Sequence, residues 1–372
     1  MSRRVMYVVS EPWYFVNHRL EHAKALLAAG FDVEVATRQG DRFEEAREAG
    51  CVMHEFDMTR SSAPTLLAKE ALKLRRLVRR TKPDVVHAVA LKPVALSLGL
   101  FSLRRRPSLV LSVNGLGISA VDGSRSLSII RRVLQFAGRR RAVELLFQTR
   151  ADQRAVTRTT TGSTVIPGVG VNLDDFAATP KPPAEPLRIV YLGRAVRSKG
   201  LTDLAKALSD PRLQAAGLQV DAYCSIDDQS PGTLSPEEIS VIEASPLMTL
   251  HSPTRDPSAV LATAHGAILP SRAGEGVSRF VLEALATATP VLLSSESGSG
   301  EVIQHGREGL TFEGKNPTSL ADALLDFKEL SDDERQLMGE AGRRLAVERY
   351  SSSVILPQIV ELHRRLAAEK SA

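Results

Sequence analysis

Residues 4–37 read strand, helix, strand, and this grammar constrains the fold more than any other feature of the chain. Arg4 to Ser10 is apolar and β-rich, His18 to Ala29 carries an apolar stripe at helical spacing that ends at Gly30, and Phe31 to Thr37 alternates. Such a βαβ unit makes its two strands parallel, with the helix covering one face. The pattern continues with a helix near Thr65–Arg80, a strand over Val85–Ala90 announced by Lys82-Pro83-Asp84, and a helix near Val94–Leu103. A strand over Ser108–Val113, a helix over Ser126–Arg140 and a strand over Ala142–Gln148 follow, and the domain closes around Val165–Phe176. Ala177–Leu187, AATPKPPAEPL, then places four prolines in eleven residues without periodicity, the mark of a stiff linker. Beyond it the grammar restarts, with Arg188–Leu192 as a strand, Leu201–Leu208 as a helix and Gln219–Cys224 as a strand, and runs to about Leu330.

The expected fold is therefore α/β, with two Rossmann-like domains at 1–176 and 188–350 joined by the linker at 177–187. Two parallel sheets would face each other across a cleft, where open α/β proteins bind ligands at the carboxyl ends of their strands. The tail at 351–372 carries Val354, Ile355, Ile359, Leu362 and Leu366 at mostly helical spacing, which predicts an amphipathic helix packing back toward the N-terminal domain.

Composition narrows the setting. Two cysteines, Cys51 and Cys224, are too few for a disulfide framework and fit a reducing compartment. MSRRVMYVVSEPWYF lacks the apolar core and cleavage site of a signal peptide, and no run of about twenty apolar residues offers a spanning helix. The expected location is the cytoplasm. Net charge is only +5, yet residues 51–150 hold 19 Lys/Arg against 6 Asp/Glu, concentrated at Lys73-Leu74-Arg75-Arg76, Arg79-Arg80, Arg104-Arg105-Arg106, Arg131-Arg132 and Arg139-Arg140-Arg141. Arginine-rich helices interleaved with Leu, Val and Phe suit the inner face of an anionic membrane; solvated helix faces would give the same pattern. Nucleic acid is not expected, because aromatics make up 5% of the chain and no binding motif is present.

Chemistry concentrates in two stretches. In Leu269–Ala286 a strand ends in a glycine-containing turn and a helix begins near Val277, with Glu275 at its entrance and Glu283 about two turns in. Free amides after Gly276, including those of Val277 and Ser278, together with the helix dipole favour an anion such as a diphosphate. A sugar on one side would meet Glu275, and a ribose on the other would place its hydroxyls on Glu283; a dipole-stabilising Glu and a solvated Glu would look the same in isolation. The second stretch, Gly193-Arg194-Ala195-Val196-Arg197-Ser198-Lys199-Gly200, follows the first strand of the second domain and puts Arg194 and Lys199 where they would neutralise the diphosphate. No metal or other cofactor is then required. Asp174-Asp175 and Asp227-Asp228 read as turn and loop residues, and His18 with His22 lacks the order of a zinc helix.

With both stretches in place, the chain resembles the family 4 retaining glycosyltransferases of the B-type two-domain fold. Gly193-Arg194 with Lys199-Gly200 looks like that family's phosphate loop, Glu275 through Glu283 like its two-glutamate motif, and Ile166–Phe176 like its Gly-rich turn before the linker. Val16-Asn17-His18-Arg19-Leu20, His87 through Lys92-Pro93, and Asn114-Gly115-Leu116-Gly117 resemble the subgroup that builds capsule, O-antigen and other lipid-linked bacterial glycans. The resemblance implies a retaining transfer of a hexose or N-acetylhexosamine from a UDP-sugar to a glycan acceptor. Arg194, Lys199 and Gly193 would bind the donor diphosphate, Glu283 the ribose and Glu275 the sugar, while His87 would touch the sugar from the first domain. Asn17, His18, Asn114 and Gly115 would lie on the acceptor side. The sequence departs from the pattern in three places: Arg272-Ala273-Gly274 separates Ser271 from Glu275 where many members have two residues, Asn114 stands where the subgroup often has Thr, and Val16-Asn17 replaces a Gly-Gly pair. A nucleotide-sugar epimerase on the same architecture and a non-catalytic membrane-associated binding protein are the other readings.

Overall fold

The computed structural model of the chain describes residues 2–59, 61, 63–103, 106–115, 125–157, 161–226, 232–272 and 274–369. Contacts divide the chain into two compact units, one comprising Met1–Asn114, Arg125–Val169 and Ser353–Ala372, the other Gly115–Ser124 and Gly170–Ser352. Arg104-Arg105, Leu116-Gly117, Asp227-Asp228 and Ala273 lie outside the described residues.

In the first unit, strands β1 (Arg3–Val8), β2 (Phe31–Thr37), β3 (Val52–Glu55), β4 (Val85–Val89), β5 (Ser108–Val113), β6 (Val143–Phe147) and β7 (Ser163–Val165) form a parallel sheet ordered β3-β2-β1-β4-β5-β6-β7. Its helices are α1 (Pro12–Ala28), α2 (Phe43–Glu48), α3 (Pro64–Thr81), α4 (Leu91–Ser97), α5 (Arg125–Gly138) and α6 (Arg150–Val156). The central strands β4, β5 and β6 are buried along their whole length, which is why they read as continuous apolar runs. Pro12 and Pro64 open α1 and α3, where a missing N–H costs nothing, and Lys82 in the left-handed region ahead of Pro83 closes α3. The helix expected near Val94–Leu103 begins earlier, at Leu91, and continues as a 3₁₀ turn over Leu98–Ser102.

The second unit repeats the arrangement with β8 (Leu187–Arg194), β9 (Leu218–Ser225), β10 (Met248–His251), β11 (Gly266–Leu269), β12 (Val291–Ser294) and β13 (Gly309–Phe312), ordered β10-β9-β8-β11-β12-β13. Its helices are α7 (Leu201–Leu208), α8 (Pro211–Gln214), α9 (Pro236–Glu243), α10 (Pro257–Thr263), α11 (Arg279–Ala286), α12 (Pro317–Glu329) and α13 (Asp332–Leu345). The proline-rich stretch is fastened to this unit. Lys181 Nζ donates to the Leu261 carbonyl (2.7 Å) and Thr289 Oγ1 (2.8 Å), while His265 accepts from Arg188 N–H (2.9 Å) and donates to the Pro182 carbonyl (3.0 Å). Val171 and Phe176 are buried in the same core, so the chain passes from one unit to the other at Val169–Gly170.

The C-terminal helix α14 (Ser352–Glu369) buries Ile355, Ile359, Leu362 and Leu366 in the core of the first unit, beside Val5, Tyr7 and Phe15. A polar chain crosses this apolar seam. His363 Nδ1 donates to the Ile359 carbonyl (2.8 Å), which leaves Nε2 to accept from His87 Nδ1 (3.1 Å); His87 Nε2 in turn accepts from Ser112 Oγ (2.7 Å). Tyr7 stacks on the His87 ring at 4.7 Å. This corrects the expected role of His87: it is completely buried in mid-strand, where it joins helix to sheet and has no surface to offer a sugar.

Burial holds these rings neutral. It pushes His363 down to about 4 and His22 to about 3, and lowers His87 with help from neighbouring His363 and Arg19. Each folded value lies below the unfolded one near 6.5, so the folded state rejects protons that the unfolded chain accepts. Stability is full above about pH 6.5 and falls by up to about 1.4 kcal/mol per pH unit per histidine on acidification toward pH 4. Urea unfolding at pH 7.5 and 5.5 should show this loss, and His363→Gln should flatten it; identical wild-type curves at both pH values would contradict the neutral network.

Candidate active site

Strand order reverses between β8 and β11, so the loops leaving these two strands diverge at the carboxyl edge of the second sheet. They carry both stretches singled out in the sequence. Gly193 and Arg194 end β8, and a 3₁₀ turn over Arg197–Lys199 leads to Gly200, which has φ +74°. A Cβ there would lie 1.9 Å from the Pro270 carbonyl oxygen, so only glycine lets the two loops touch. Arg272 locks the contact. Its N–H donates to the Ser198 carbonyl (2.9 Å), and its guanidinium grips Asp203 on α7 through Nε (2.6 Å) and Nη2 (2.7 Å).

The structure brings Lys199 and Glu275 together as an ion pair, both side chains about four-fifths buried, with Lys199 Nζ on Glu275 Oε2. Glu275 Oε1 is buried without a hydrogen-bond partner among the described residues. Glu275 precedes α11 by four residues, because the helix begins at Arg279 and not near Val277; Glu283 is thus its fifth residue, little more than one turn in. Glu283 is 5% exposed and is held by Arg279 Nε (2.6 Å). Burial raises its carboxyl above the usual range, and the Arg279 charge opposes that shift.

A third loop, after β12, supports the second. Gly298 N–H donates to the Glu275 carbonyl (3.2 Å), and a Cβ on Gly298 would come within 2.3 Å of that oxygen. The buried Ser299 hydroxyl accepts from Ser278 N–H (3.0 Å) and donates to the Gly276 carbonyl (3.4 Å). The Ser278 amide, expected to face a phosphate, is thereby committed within the protein. Its hydroxyl does not cap α11. Asp203, Gly298 and Ser299 were not singled out in the sequence, and Arg272 was noted only in the longer spacer before Glu275; the signal for Gly298 and Ser299 was the Gly/Ser-rich SSESGSGE at the end of β12.

In the first unit, α1 and the end of β5 gather Tyr14, His18, Arg19 and Asn114. Arg19 donates to Asn114 Oδ1 (2.9 Å), Asn114 Nδ2 donates to the Tyr14 hydroxyl (2.9 Å), and the His18 ring lies 4.4 Å from that of Tyr14. Asn17 accepts from Arg42 at the rim. Gly115 groups with the second unit and adopts φ +91°.

Two family models cover this organisation: Glycosyl transferase 4-like matches residues 4–149, and Glycosyl transferases group 1 matches residues 174–345. The chain belongs to the family 4-type, group 1 glycosyltransferases. Among its relatives, the capsular polysaccharide biosynthesis glycosyltransferase CapM of Staphylococcus aureus is 19% identical over 91% of both chains. The D-inositol 3-phosphate glycosyltransferase of Corynebacterium urealyticum is 38% identical, but over only 25% of this chain and 22% of that protein. The structure of Anabaena Alr3699/HepE in complex with UDP-glucose superposes with a TM-score of 0.74 at 16% identity, covering 97% of this chain and 99% of that one. The fold is the B-type glycosyltransferase fold.

Because Arg272 and the mostly buried Asp203 form a bidentate pair, Arg272→Ala should lower the unfolding free energy of the second unit by about 2 kcal/mol. Arg272→Lys should recover less than half of this, since an ammonium cannot reproduce the fork. Chemical denaturation of the three proteins checks both.

Proposed function

We propose that this transferase binds a UDP-sugar on the second unit and moves its hexose or N-acetylhexosamine, with retention at the anomeric carbon, to a lipid-linked glycan acceptor in bacterial surface polysaccharide synthesis. The observation that carries the donor reading is the Lys199–Glu275 pair at the switch point. An ion pair there is a site in its resting state: an arriving diphosphate attracts Lys199, and a sugar hydroxyl replaces the ammonium on Glu275, whose Oε1 lacks a partner among the described residues. Glu283 supplies a buried carboxylate for two ribose hydroxyls, and Arg194 an exposed cation at the end of β8. As the anomeric C–O bond breaks, its electron pair leaves on the diphosphate, whose charge Arg194 and Lys199 stabilise. The acceptor hydroxyl oxygen bonds to the anomeric carbon on the same face, and its proton passes to the departing phosphate oxygen. No metal enters this scheme, so turnover is expected to survive EDTA. The names of CapM and of the UDP-glucose complex of HepE support the pathway and the donor, respectively.

A membrane surface belongs to the same proposal. No described helix is long and apolar enough to cross a bilayer. Arg131, Arg132, Arg139, Arg140 and Arg141 are exposed on and after α5, and Phe136 is 53% exposed with the Arg140 guanidinium 4.4 Å from its ring centre. Such a surface suits an anionic leaflet. The chain should co-sediment with phosphatidylglycerol vesicles at low salt and come off as salt rises; absence of binding at low salt would remove this part.

Ligand-induced thermal shift across UDP-, GDP- and dTDP-sugars tests the donor, as specific binding raises the midpoint by mass action. UDP-sugars are expected to give the largest shift. Glu283→Ala and Lys199→Ala should abolish transfer with the fold intact, and wild-type rates in either would sink the assignment. An epimerase would convert its nucleotide sugar with no acceptor present, and a binding scaffold would show no donor shift.

A further inference from the structure

We infer that Tyr14 is a committed hydrogen-bond donor for an uncharged sugar oxygen of the acceptor, oriented from behind by Asn114 and Arg19. The inference rests on the transferase reading and adds a residue and a direction to it. Direction follows from what each group is able to do. A guanidinium has no acceptor, so Asn114 must turn its Oδ1 toward Arg19 Nη2 (2.9 Å), and its amide Nδ2 is then the group facing the Tyr14 oxygen (2.9 Å). That oxygen accepts, which leaves the phenolic proton without a partner among the described residues. The relay cannot run the other way while Arg19 holds its end.

Arg19 is well held. It is 3% exposed, its Nη1 donates to the His18 carbonyl (2.7 Å), and no carboxylate among the described residues pairs with it. Its charge is therefore buried, and its hydrogen-bond link toward Tyr14 runs through Asn114. What the surface presents is a neutral donor between aromatic rings, Trp13 edge-on at 5.8 Å and His18 at 4.4 Å, all three partly exposed. Aromatic faces beside a single O–H suit the C–H face and a hydroxyl or ring oxygen of a sugar better than a phosphate, which would ask for an available cation. The position at the start of α1, past the carboxyl end of β1, is where an open α/β sheet takes ligands. Tyr14 is thus the residue that touches substrate, and Asn114 and Arg19 are positioning residues.

Asn114→Asp isolates the direction from the packing. The carboxylate keeps the side-chain shape and gives buried Arg19 a counter-charge, so the unfolding midpoint should stay at or above that of wild type. It only accepts, however, and Tyr14 must then turn its proton inward. Trp13, the one tryptophan in the chain, reports binding by fluorescence. With full-length protein and undecaprenyl-diphosphate-linked N-acetylglucosamine as probe, Tyr14→Phe and Asn114→Asp should each weaken binding about fivefold to tenfold, as loss of one neutral hydrogen bond does. Bare undecaprenyl diphosphate should bind wild type and variants alike. Wild-type affinity in Asn114→Asp overturns the relay, equal losses on the bare lipid shift the contact to phosphate and overturn the sugar assignment, and no wild-type response to the sugar-bearing probe overturns both. The UDP-sugar thermal shift is measured on the same variants and should be unchanged. If it is absent in wild type the transferase reading fails by itself, while the Trp13 titration still decides the relay.

Discussion

The reversal of strand order at the centre of each sheet is the constraint on which the rest depends. In an all-parallel sheet every loop leaving the carboxyl edge turns to one face or the other to reach its helix, and only where the order reverses do adjacent loops turn apart. In the second unit that place lies between β8 and β11, and the loops parted there hold Arg194, Lys199, Glu275 and, through α11, Glu283. In the first unit it lies between β1 and β4, with Tyr14 just past β1. Having parted the loops, the fold must fix them again. Three close approaches do this: Gly200 on Pro270, Arg272 on Asp203 and Gly298 on Glu275.

Two buried polar clusters, the first around His87 and Asn114 and the second on the loops after β8 and β11, are built in opposite ways. The second pairs its charges, Lys199 with Glu275, Arg279 with Glu283 and Arg272 with Asp203. The first keeps its buried histidines neutral and leaves Arg19 with neutral acceptors only. Paired opposite charges can be exchanged for those of a ligand at small net cost, since the ions are already desolvated. A neutral network with one fixed cation instead enforces hydrogen-bond direction, which suits recognition of a substrate that brings no charge to the contact.

The sequence made the fold legible because burial on both faces of a parallel sheet writes itself as apolar runs of fixed length, as in Val85–Val89 and Val143–Phe147, and because Pro12, Pro64 and Lys82-Pro83 mark helix ends. Lys199 and Glu275 were legible through residue type and local position, and the structure does bring them together. His87 was misread for a reason that no local pattern reveals: its partner, His363, lies 276 residues away on a helix whose docking decides whether that edge of the ring meets solvent or protein. Arg272 was noticed only as an extra residue, because its partner Asp203 belongs to another helix and pairing across loops leaves no periodicity. The start of α11 was misplaced by two residues for a similar reason. Ser278 looked helical until Ser299, from the loop after β12, claimed its amide.

That last contact bears on the proposed donor site. A helix N-terminus attracts anions with unsatisfied N–H groups, and any of them bonded internally is withdrawn from a ligand. Ser299 withdraws the Ser278 amide and in return fixes the backbone of Gly276, while Gly298 fixes Glu275. Under the proposed donor reading, one amide expected to face phosphate is given up for a fixed carboxylate loop. In the proposed exchange Glu275 would have to hold its place as Lys199 left it for phosphate, and a loop free to follow the departing ammonium would lose the proposed sugar contact.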